Sequence, residues 1–471
     1  MNLLTKLSYG VGQLSDGVKQ SAFTTFLFFY YNQVLGLSGS LAGMAALLAL
    51  LVDAVTDPMV GQLSDRFQSR WGRRHPFMLA GALPFGIAIV ALFSPPDGLD
   101  QIQLFSWMLA GAIAVRLMLT LFFVPHLSLG AELVRDYHER TSLIGYRVFF
   151  TYAGILLTSV IGFAVFFPPT EAYANGMLNE ASYPKFGVFC AVMGTASMLL
   201  CVFGTRHAIP DASPTALRTD ERSAWLAFID VFHTLKLHSF RILFFAGILF
   251  ATFAGIVQTL LVYVATYVFE FKPEQLAGLA GALVVGIIFA SLVAQYLSRR
   301  FDKKQALACC AIAGGAFAFS PQILYFGGFL EHMSVSIKFA LVFSVNGISQ
   351  IFFIAYVILI DSMLSDVIDE HELNSHRREE GLFFAARAFA TKASYGLGSF
   401  FAGVGLDVIQ FPTGASPESV SNEAVFKLAL LSGPLMFVLF AATVLVTSRY
   451  PLSAARHSEI MSAIAARVAI R

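Results

Sequence analysis

The stretch GQLSDRFQSRWGRR, residues 61–74, lies between two apolar segments, 40–63 and 76–95, that are each long enough to cross a bilayer as a helix. It is a short, basic turn that follows a helix rich in small residues. A second basic turn, AQYLSRRFDKK at 294–304, occurs six apolar segments later in the chain. This repeat predicts two related groups of helices, an arrangement typical of transporters that rock around a central site.

The composition agrees with a membrane protein. Of the 471 residues, 57% are hydrophobic and 13% are charged, which is about half the usual charged share of a soluble domain. Because lipid offers the backbone no hydrogen-bond partners, each crossing segment must be helical. We therefore predict an all-α membrane protein with about twelve transmembrane helices. The predicted spans are 8–33, 40–63, 76–95, 103–129, 143–167, 185–204, 239–268, 275–297, 305–327, 335–362, 381–408 and 425–448.

The longest polar interruption, 205–238, divides these spans six and six. We predict an N-terminal half at 1–204, a cytoplasmic connector at 205–238, a C-terminal half at 239–448 and a cytoplasmic tail at 449–471. Connections and tails on one side of the membrane hold 23 of the 31 lysines and arginines, and those on the other side hold four. This bias predicts a protein of the cell (inner) membrane with both termini in the cytoplasm.

Two carboxylates lie inside the second span, where a charge costs about 2.5–3.5 kcal/mol. Asp53 and Asp57 are four residues apart, so both side chains lie on one face of a helix. Pro58 lacks an N–H and frees a backbone carbonyl, and Thr56 adds a hydroxyl. Clustered oxygens suit a hard cation such as Na⁺, and mutual repulsion of two carboxylates favours a shared proton. The pattern predicts a coupling-ion site for Na⁺ or H⁺.

A purely structural alternative remains open for these aspartates. Arg116 and Lys392 also lie within predicted spans, on the fourth and eleventh segments. Either cation can form an ion pair with Asp53 or Asp57 that only locks helices together. We predict no cofactor, and no metal other than a possible Na⁺.

Four segments carry a family resemblance that runs over the whole chain in register. They are 61–74, KLSYGVGQLSD at 6–16, DAVTDPMVG at 53–61 and SDVIDEHELNSHRREEGLFFAARAFATK at 365–392. Together they resemble the glycoside–pentoside–hexuronide:cation symporter family of the major facilitator superfamily. The resemblance implies the major facilitator fold, with two six-helix halves, and cation-coupled transport.

The resemblance also implies roles for individual residues. Asp53 and Asp57 match the aspartates that bind the coupling cation, and Thr120 matches a threonine that helps the same site. Lys392 matches a lysine between the cation and sugar sites. Arg147 matches an arginine associated with sugar binding, although it can equally be a basic anchor at the membrane surface.

The chain departs from the family pattern at several of these positions. Thr56 replaces an asparagine, so Na⁺ and H⁺ both remain candidates. Gly17 and Phe123 occupy the positions of two sugar-binding aspartates, and Asp16 is displaced by one residue from the first. Arg387 occupies a position that is uncharged in the family. The predicted cation-binding residues are Asp53, Thr56, Asp57 and Thr120; the predicted substrate-binding residues are Asp16, Lys19, Arg116, Phe123, Arg147, Arg387, Lys392 and Tyr395.

Charged residues near the basic turns form a predicted inner gate that pairs charges in one state and separates them in another. A solvated loop is the alternative for the group that follows the tenth span. The predicted gate residues are Asp65, Arg73, Arg74, Asp366, Asp369, Glu372, Arg377, Arg378 and Glu379.

The predicted function is symport of a monovalent cation with a sugar, glycoside or sugar acid. Three acidic and four basic residues counted within the spans leave an excess of +1, which favours an acidic solute, while a neutral glycoside remains open. A lysophospholipid or other amphiphile is the alternative cargo. An enzyme or receptor is disfavoured, since no nucleophile lies beside a base in the sequence. The predicted partners are the solute, a monovalent cation and the lipid bilayer, with no nucleic acid, because a net charge of +1 provides no long-range field.

Overall fold

The computed structural model of the chain describes residues 2–67, 69–134, 137–208, 234–377 and 379–470. These residues form helices and connecting turns, and no strand occurs among them. Ten of the helices are long and apolar enough to cross a membrane. The prediction of an all-α membrane protein is confirmed.

The helices are numbered α1 to α13 in chain order. They are α1 (3–34, in the consecutive pieces Leu3–Val11, Leu14–Ser21, Ala22–Leu27 and Tyr30–Val34), α2 (Gly39–Arg66), α3 (His75–Leu92), α4 (Gln101–Leu133), α5 (Tyr137–Ile161, continued by Gly162–Phe166), α6 (Ser182–Thr205), α7 (His238–Tyr263, continued by Val264–Val268), α8 (Pro273–Ala280 and Ala282–Arg300), α9 (Lys303–Phe326), α10 (Val335–Ser375), α11 (Glu380–Val408), α12 (Asn422–Ser432 and Pro434–Ser448) and α13 (Ala454–Ile470).

Two predicted spans, α1 and α11, are not among the ten that length and composition select. Both are helical, and both carry charges that lower their apolar character: Asp16 and Lys19 in α1, and Arg387 and Lys392 in α11. The twelve-span prediction therefore agrees with the structure in helix positions.

Helix α10 extends well beyond its predicted end at 362. Residues 363–375 contain neither proline nor glycine, so nothing in them interrupts the helix. It ends at His376, whose backbone adopts the left-handed conformation with φ of 60°. Much of the predicted loop after the tenth span is thus an extension of α10, and α13 packs against this helix.

Helix packing brings the first six helices and the later six together around a shared interior. Helix α1 packs on α5, α2 packs on α4, and α3 packs on α4 and α6. In the later group α10 packs on α8 and α9, and α7 packs on α11 and α12. The two groups meet most extensively along α2 and α11. Residues 209–233 of the predicted connector lie outside the described residues, so the predicted domain division stays a prediction.

One end of the bundle carries the ends of α2 and α8 and the starts of α3 and α9, with the arginines and lysines of the two basic turns, and we call it the basic end. At the other end the two groups of helices are in direct contact. Asp407 of α11 accepts hydrogen bonds from the backbone N–H groups of Gly39 and Ser40, both at 2.8 Å. A Cβ atom on Gly403 would overlap the Gly39 carbonyl oxygen, so only glycine permits this approach.

Hydrogen bonds between α1 and α7 reinforce the same contact. The Tyr263 hydroxyl donates to Asn32 Oδ1 at 2.6 Å, and the Tyr267 hydroxyl donates to Gln33 Oε1 at 3.1 Å. The bundle is therefore closed at the end away from the basic turns.

Candidate functional site

A cavity of about 610 Å³ lies at the centre of the bundle. Its walls come from α1, α2, α4 and α5 on one side, and from α7, α8, α10 and α11 on the other. Its volume is within the range of about 300–1,000 Å³ that small-molecule sites occupy. The charged side chains that line it are Asp16, Lys19, Asp53, Asp57, Arg116 and Lys392.

The predicted aspartate pair lies in this cavity. Thr120 of α4 bridges the two carboxylates, since its hydroxyl lies 3.0 Å from Asp53 Oδ1 and 2.9 Å from Asp57 Oδ1. The helical spacing of the aspartates produces this arrangement, because both project from α2 towards α4. Three oxygen-bearing side chains thus converge on one position.

Two cations neutralise the pair. Lys392 Nζ of α11 lies 3.2 Å from Asp53 Oδ2 and also contacts Asp57 Oδ2. Arg116 Nη1 of α4 donates to Asp53 Oδ2 at 3.3 Å. Asp53 and Arg116 are both buried, and breaking such a pair by removing one partner costs about 3–5 kcal/mol in typical proteins.

Arg116 has further features of a binding residue. Its guanidinium lies over the Phe23 ring, 5.2 Å from the ring centroid. Its Nε atom is buried and has no hydrogen-bond partner among the described residues. A buried donor without a partner costs free energy, so the site would gain from a ligand acceptor at this atom.

A second charged group lies in α1 on the same cavity. Lys19 Nζ is 3.2 Å from Asp16 Oδ1, and Gln20 Nε2 donates to Asp16 Oδ2 at 2.7 Å. Asp16 and Lys19 therefore pair with each other and also line the cavity. Gln20 lines the cavity too.

The remaining predicted site residues divide into two groups. Phe123 and Tyr395 line the cavity, as predicted from their positions. Thr56, Arg147 and Arg387 are not among its lining residues. The Thr56 hydroxyl instead donates to the Asp53 backbone carbonyl at 3.2 Å. The structure thus does not bring these three residues to the site.

Arg387 forms an ion pair with Asp361 of α10. Five residues separate it from Lys392, which rotates the two side chains about 140° apart on the helix. Because Lys392 faces the aspartate pair, Arg387 has to face elsewhere. Arg147 lies beside Tyr9 of α1.

The sequence model of a protein family described as MFS/sugar transport protein matches residues 8–454 of the chain. The chain belongs to this family. It is a multi-pass membrane transporter, and the predicted glycoside–cation symporter relationship within the major facilitator superfamily is confirmed.

Curated relatives of this transporter match over nearly its whole length. It is 28% identical to the putative glycoside/cation symporter YagG of Escherichia coli (strain K12), over 97% of this chain and 93% of that protein. It is 22% identical to the isoprimeverose transporter of Lactiplantibacillus pentosus, over 85% of this chain and 79% of that one. It is also 24% identical to the sphingosine-1-phosphate transporter MFSD2B of Xenopus tropicalis, over 96% and 89%.

Solved structures agree on the fold. The inward open conformation of the xylose transporter XylE from E. coli matches with a TM-score of 0.62 at 16% identity, covering 97% of this chain and 98% of that one. The nucleoside transporter NupG matches with a TM-score of 0.63 at 14% identity, covering 96% and 100%. The predicted major facilitator fold is confirmed.

The transporter's intramembrane charges balance once Asp361 is included. The sequence-based count left this residue out, yet it pairs with Arg387. The charges that line the cavity are Asp16 with Lys19, and Asp53 and Asp57 with Arg116 and Lys392. These four acidic and four basic residues sum to zero. The excess of +1 that favoured an acidic solute therefore disappears when Asp361 is counted.

The predicted gate residues of the first half pair with one another and with Glu132, which the sequence pattern did not single out. Arg74 contacts Asp65, and its Nε lies 3.1 Å from Glu132 Oε1. Arg73 Nη2 lies 3.0 Å from the same oxygen. Glu132 lies near the end of α4, and its role required knowing that α4 ends beside the basic turn.

In the second half, Asp366 lies 2.7 Å from Lys303 Nζ, and Asp369 lies 3.0 Å from His457 Nε2 of α13. Glu379 lies 3.1 Å from His371 Nε2. Each of these ion pairs stays within one half of the molecule.

The remaining predicted gate residues are Glu372, Arg377 and Arg378. Glu372 lies near the end of α10, and Arg377 is exposed beyond it. Arg378 lies outside the described residues. A gate that pairs charges across the halves in another state stays a prediction.

Proposed function

We propose that this transporter is a secondary active symporter, which couples inward movement of Na⁺ or H⁺ to uptake of a sugar or glycoside. One observation carries the proposal: Lys392 of one half lies on the Asp53–Asp57 pair of the other half, inside the central cavity. The relatives named as glycoside/cation symporter and isoprimeverose transporter support the class of solute.

Lys392 acts in this proposal as a tethered substitute for the coupling cation. Its ammonium group occupies the position between the carboxylates that a free cation would take. Na⁺ would use the carboxylate oxygens and the Thr120 hydroxyl as ligands, whereas H⁺ would neutralise one carboxylate. Either ion weakens the attraction between Lys392 and the carboxylates. Cation binding therefore breaks the ion pair that joins α11 to α2 in the cavity.

This exchange couples the cation to the conformation. An ion that binds one arrangement of the halves better than the other shifts the population by its differential affinity. The ion pair between α2 and α11 is the contact that differs between the occupied and unoccupied sites. By reciprocity, a solute that favours the same arrangement strengthens cation binding.

The basic end faces the cytoplasm in this proposal. The distribution of lysine and arginine supports that orientation, with both termini in the cytoplasm of a cell whose inner membrane holds the protein. Because the opposite end is closed, we assign the described arrangement to the inward-facing state. The contact of Asp407 with the start of α2 closes the outer side and must open for solute entry.

Uptake into proteoliposomes tests the proposal. Purified protein is reconstituted, and accumulation of labelled lactose and isoprimeverose is measured under an imposed Na⁺ or pH gradient. We expect accumulation above equilibrium with one gradient and only equilibration with neither. Failure of both gradients to drive accumulation of any sugar in a panel of neutral and acidic sugars would overturn the proposal.

An amphiphile transporter is the second candidate, and a specific observation favours it. A second cavity next to the central one has five phenylalanines in its walls, Phe250, Phe253, Phe269, Phe317 and Phe353, and these suit an alkyl chain. The similarity to the sphingosine-1-phosphate transporter points the same way. This candidate would be favoured if the protein binds a lysophospholipid and sugars do not displace it.

A further inference from the structure

A second cavity of about 290 Å³ lies within the later six helices. Its walls come from α7 to α12, with Tyr152 of α5 at its boundary with the first half. Four residues line both this cavity and the central one: Tyr152, Gln258, Gln350 and Tyr395. The two cavities are therefore adjacent across a shared wall.

Four carboxamide side chains line this second cavity: Gln258, Gln322, Asn346 and Gln350. We call it the amide cavity. None of these four side chains has a hydrogen-bond partner among the residues that the structure describes, and Gln322 Oε1 is fully buried. A buried amide oxygen without a partner costs about 1–3 kcal/mol. The protein carries this cost at a site that has room for a ligand.

The chemistry of the lining selects an uncharged ligand with many hydroxyl groups. No Asp, Glu, Lys or Arg lines the amide cavity. Each carboxamide both donates and accepts hydrogen bonds, as a sugar hydroxyl does. Phe253 and Phe353 lie with ring centroids 5.8 Å apart and give flat apolar surfaces for the C–H face of a sugar ring.

We propose that the amide cavity is a subsite for a second, neutral sugar ring, while the first ring occupies the charged central cavity. The solute is then a glycoside of at least two rings rather than a monosaccharide. This inference rests on the proposed function and adds to it the size of the solute and the location of its second unit.

An alkyl chain fits the amide cavity less well than a sugar ring does. It would bury the four carboxamides without offering any of them a hydrogen bond. Carboxamides left dry and unpaired oppose binding. The unpartnered amides therefore distinguish the two occupants, although the phenylalanine walls accommodate both.

Two variants test the subsite. Asn346→Leu and Gln322→Met remove a carboxamide at nearly constant volume, and both residues line only the amide cavity. Gln295→Met is the matched control, because Gln295 is an exposed residue of α8 that lines neither cavity. Binding of lactose, isoprimeverose, galactose, xylose and octyl glucoside to purified protein is measured by calorimetry.

We expect both cavity variants to weaken lactose or isoprimeverose by roughly tenfold, the effect of losing one hydrogen bond of about 1.4 kcal/mol. Galactose or xylose should bind within about twofold of wild type, which also verifies that the variants are folded. Gln295→Met should change neither class of sugar.

Other results would overturn the inference. Equal losses for one-ring and two-ring sugars, or no loss for either, would mean that the cavity does not hold a second ring. Tighter octyl glucoside with unchanged lactose in Asn346→Leu would assign the cavity to an alkyl chain. If wild-type protein binds no sugar of the neutral and acidic panel, the proposed function fails and this inference fails with it. If sugars bind and no variant has an effect, only this inference fails.

Discussion

The two halves of the transporter line one central cavity with different chemistry. The first half contributes five charged side chains, on α1, α2 and α4, whereas the second half contributes Lys392 as its one charged lining residue. The basic turns after α2 and α8 are similar, yet α8 has no acidic residue between Ala282 and Arg300. The repeat in sequence thus does not extend to the carboxylates of the proposed ion site, which lie in one half only. Lys392 is the link, because it brings a charge from the neutral half to the aspartates of the charged half.

Removing the aspartates should have the largest effect. We expect Asp53→Asn and Asp57→Asn each to abolish accumulation of solute against its gradient, since one carboxylate and Lys392 leave too little negative charge for a free cation. Membrane insertion should be unchanged. The assay is gradient-driven uptake in proteoliposomes, with Asp97→Asn in an exposed loop as control. If both single variants still accumulate solute, the coupling site lies elsewhere.

Lys392→Ala should have the next largest effect. With the tethered cation removed, the aspartates attract free cations more strongly, and the link between cation and α11 is lost. We expect cation dependence of solute binding to fall by roughly tenfold, as for loss of a charge-assisted contact. Equilibrium binding of solute at varied Na⁺ concentration and pH measures this.

Lys303→Ala is a suitable comparison, because Lys303 pairs with Asp366 outside the cavity. It should leave cation dependence intact. Unchanged affinities for both ligands in Lys392→Ala would leave this residue only a packing role.

The sequence predicted the charged half of the site better than the neutral half. A charge inside an apolar span needs an explanation, so Asp53, Asp57, Arg116 and Lys392 stood out from the sequence alone. Gln258 and Asn346 carry no such penalty, so nothing marked them among the many polar residues of the spans. Their relevance depends on which side chains face a common cavity, and only the packing of α7 against α10 and its neighbours determines that.

The predicted site residues that do not line the cavity have a related physical explanation. Arg387 carries as conspicuous a charge as Lys392, and nothing in the hydropathy pattern indicated that α10 would offer Asp361 as its partner. Thr56 adjoins Asp57 in sequence, but neighbouring residues of a helix point about 100° apart. Helix identity was predictable from hydropathy, and the pairing of Arg116 or Lys392 with the aspartates was one of the alternatives, whereas the partners of Arg387 and Thr56 were not predictable.

The charge balance leads to a prediction about which solutes bind, and the expected difference in affinity is smaller than the effects above. With Asp361 paired to Arg387, the cavity has no positive excess for an acid to neutralise. We expect neutral disaccharides such as lactose to displace a bound labelled solute better than disaccharides that contain a uronic acid, by roughly tenfold or less.

Competition in purified protein, at constant ionic strength, makes that comparison. Stronger competition by the uronic-acid compounds would restore the acidic solute. It would also make the unpartnered Nε of Arg116 the obvious place for the carboxylate.

The smallest effect on transport should come from Arg387→Gln. Its guanidinium pairs with Asp361 and does not line the central cavity, so we expect solute affinity within about twofold of wild type, less than one lost hydrogen bond would cause. Thermal stability should still fall, because Asp361 is left as a partly buried carboxylate without its partner. The double variant Arg387→Gln with Asp361→Asn removes both charges and should recover part of that loss of stability. Removing both members of an ion pair costs less than leaving one of them buried without its partner. A large drop in solute affinity with unchanged stability would contradict this assignment. It would mean that Arg387 leaves Asp361 during the transport cycle and enters the cavity, and the neutral half would then contribute a second mobile cation beside Lys392.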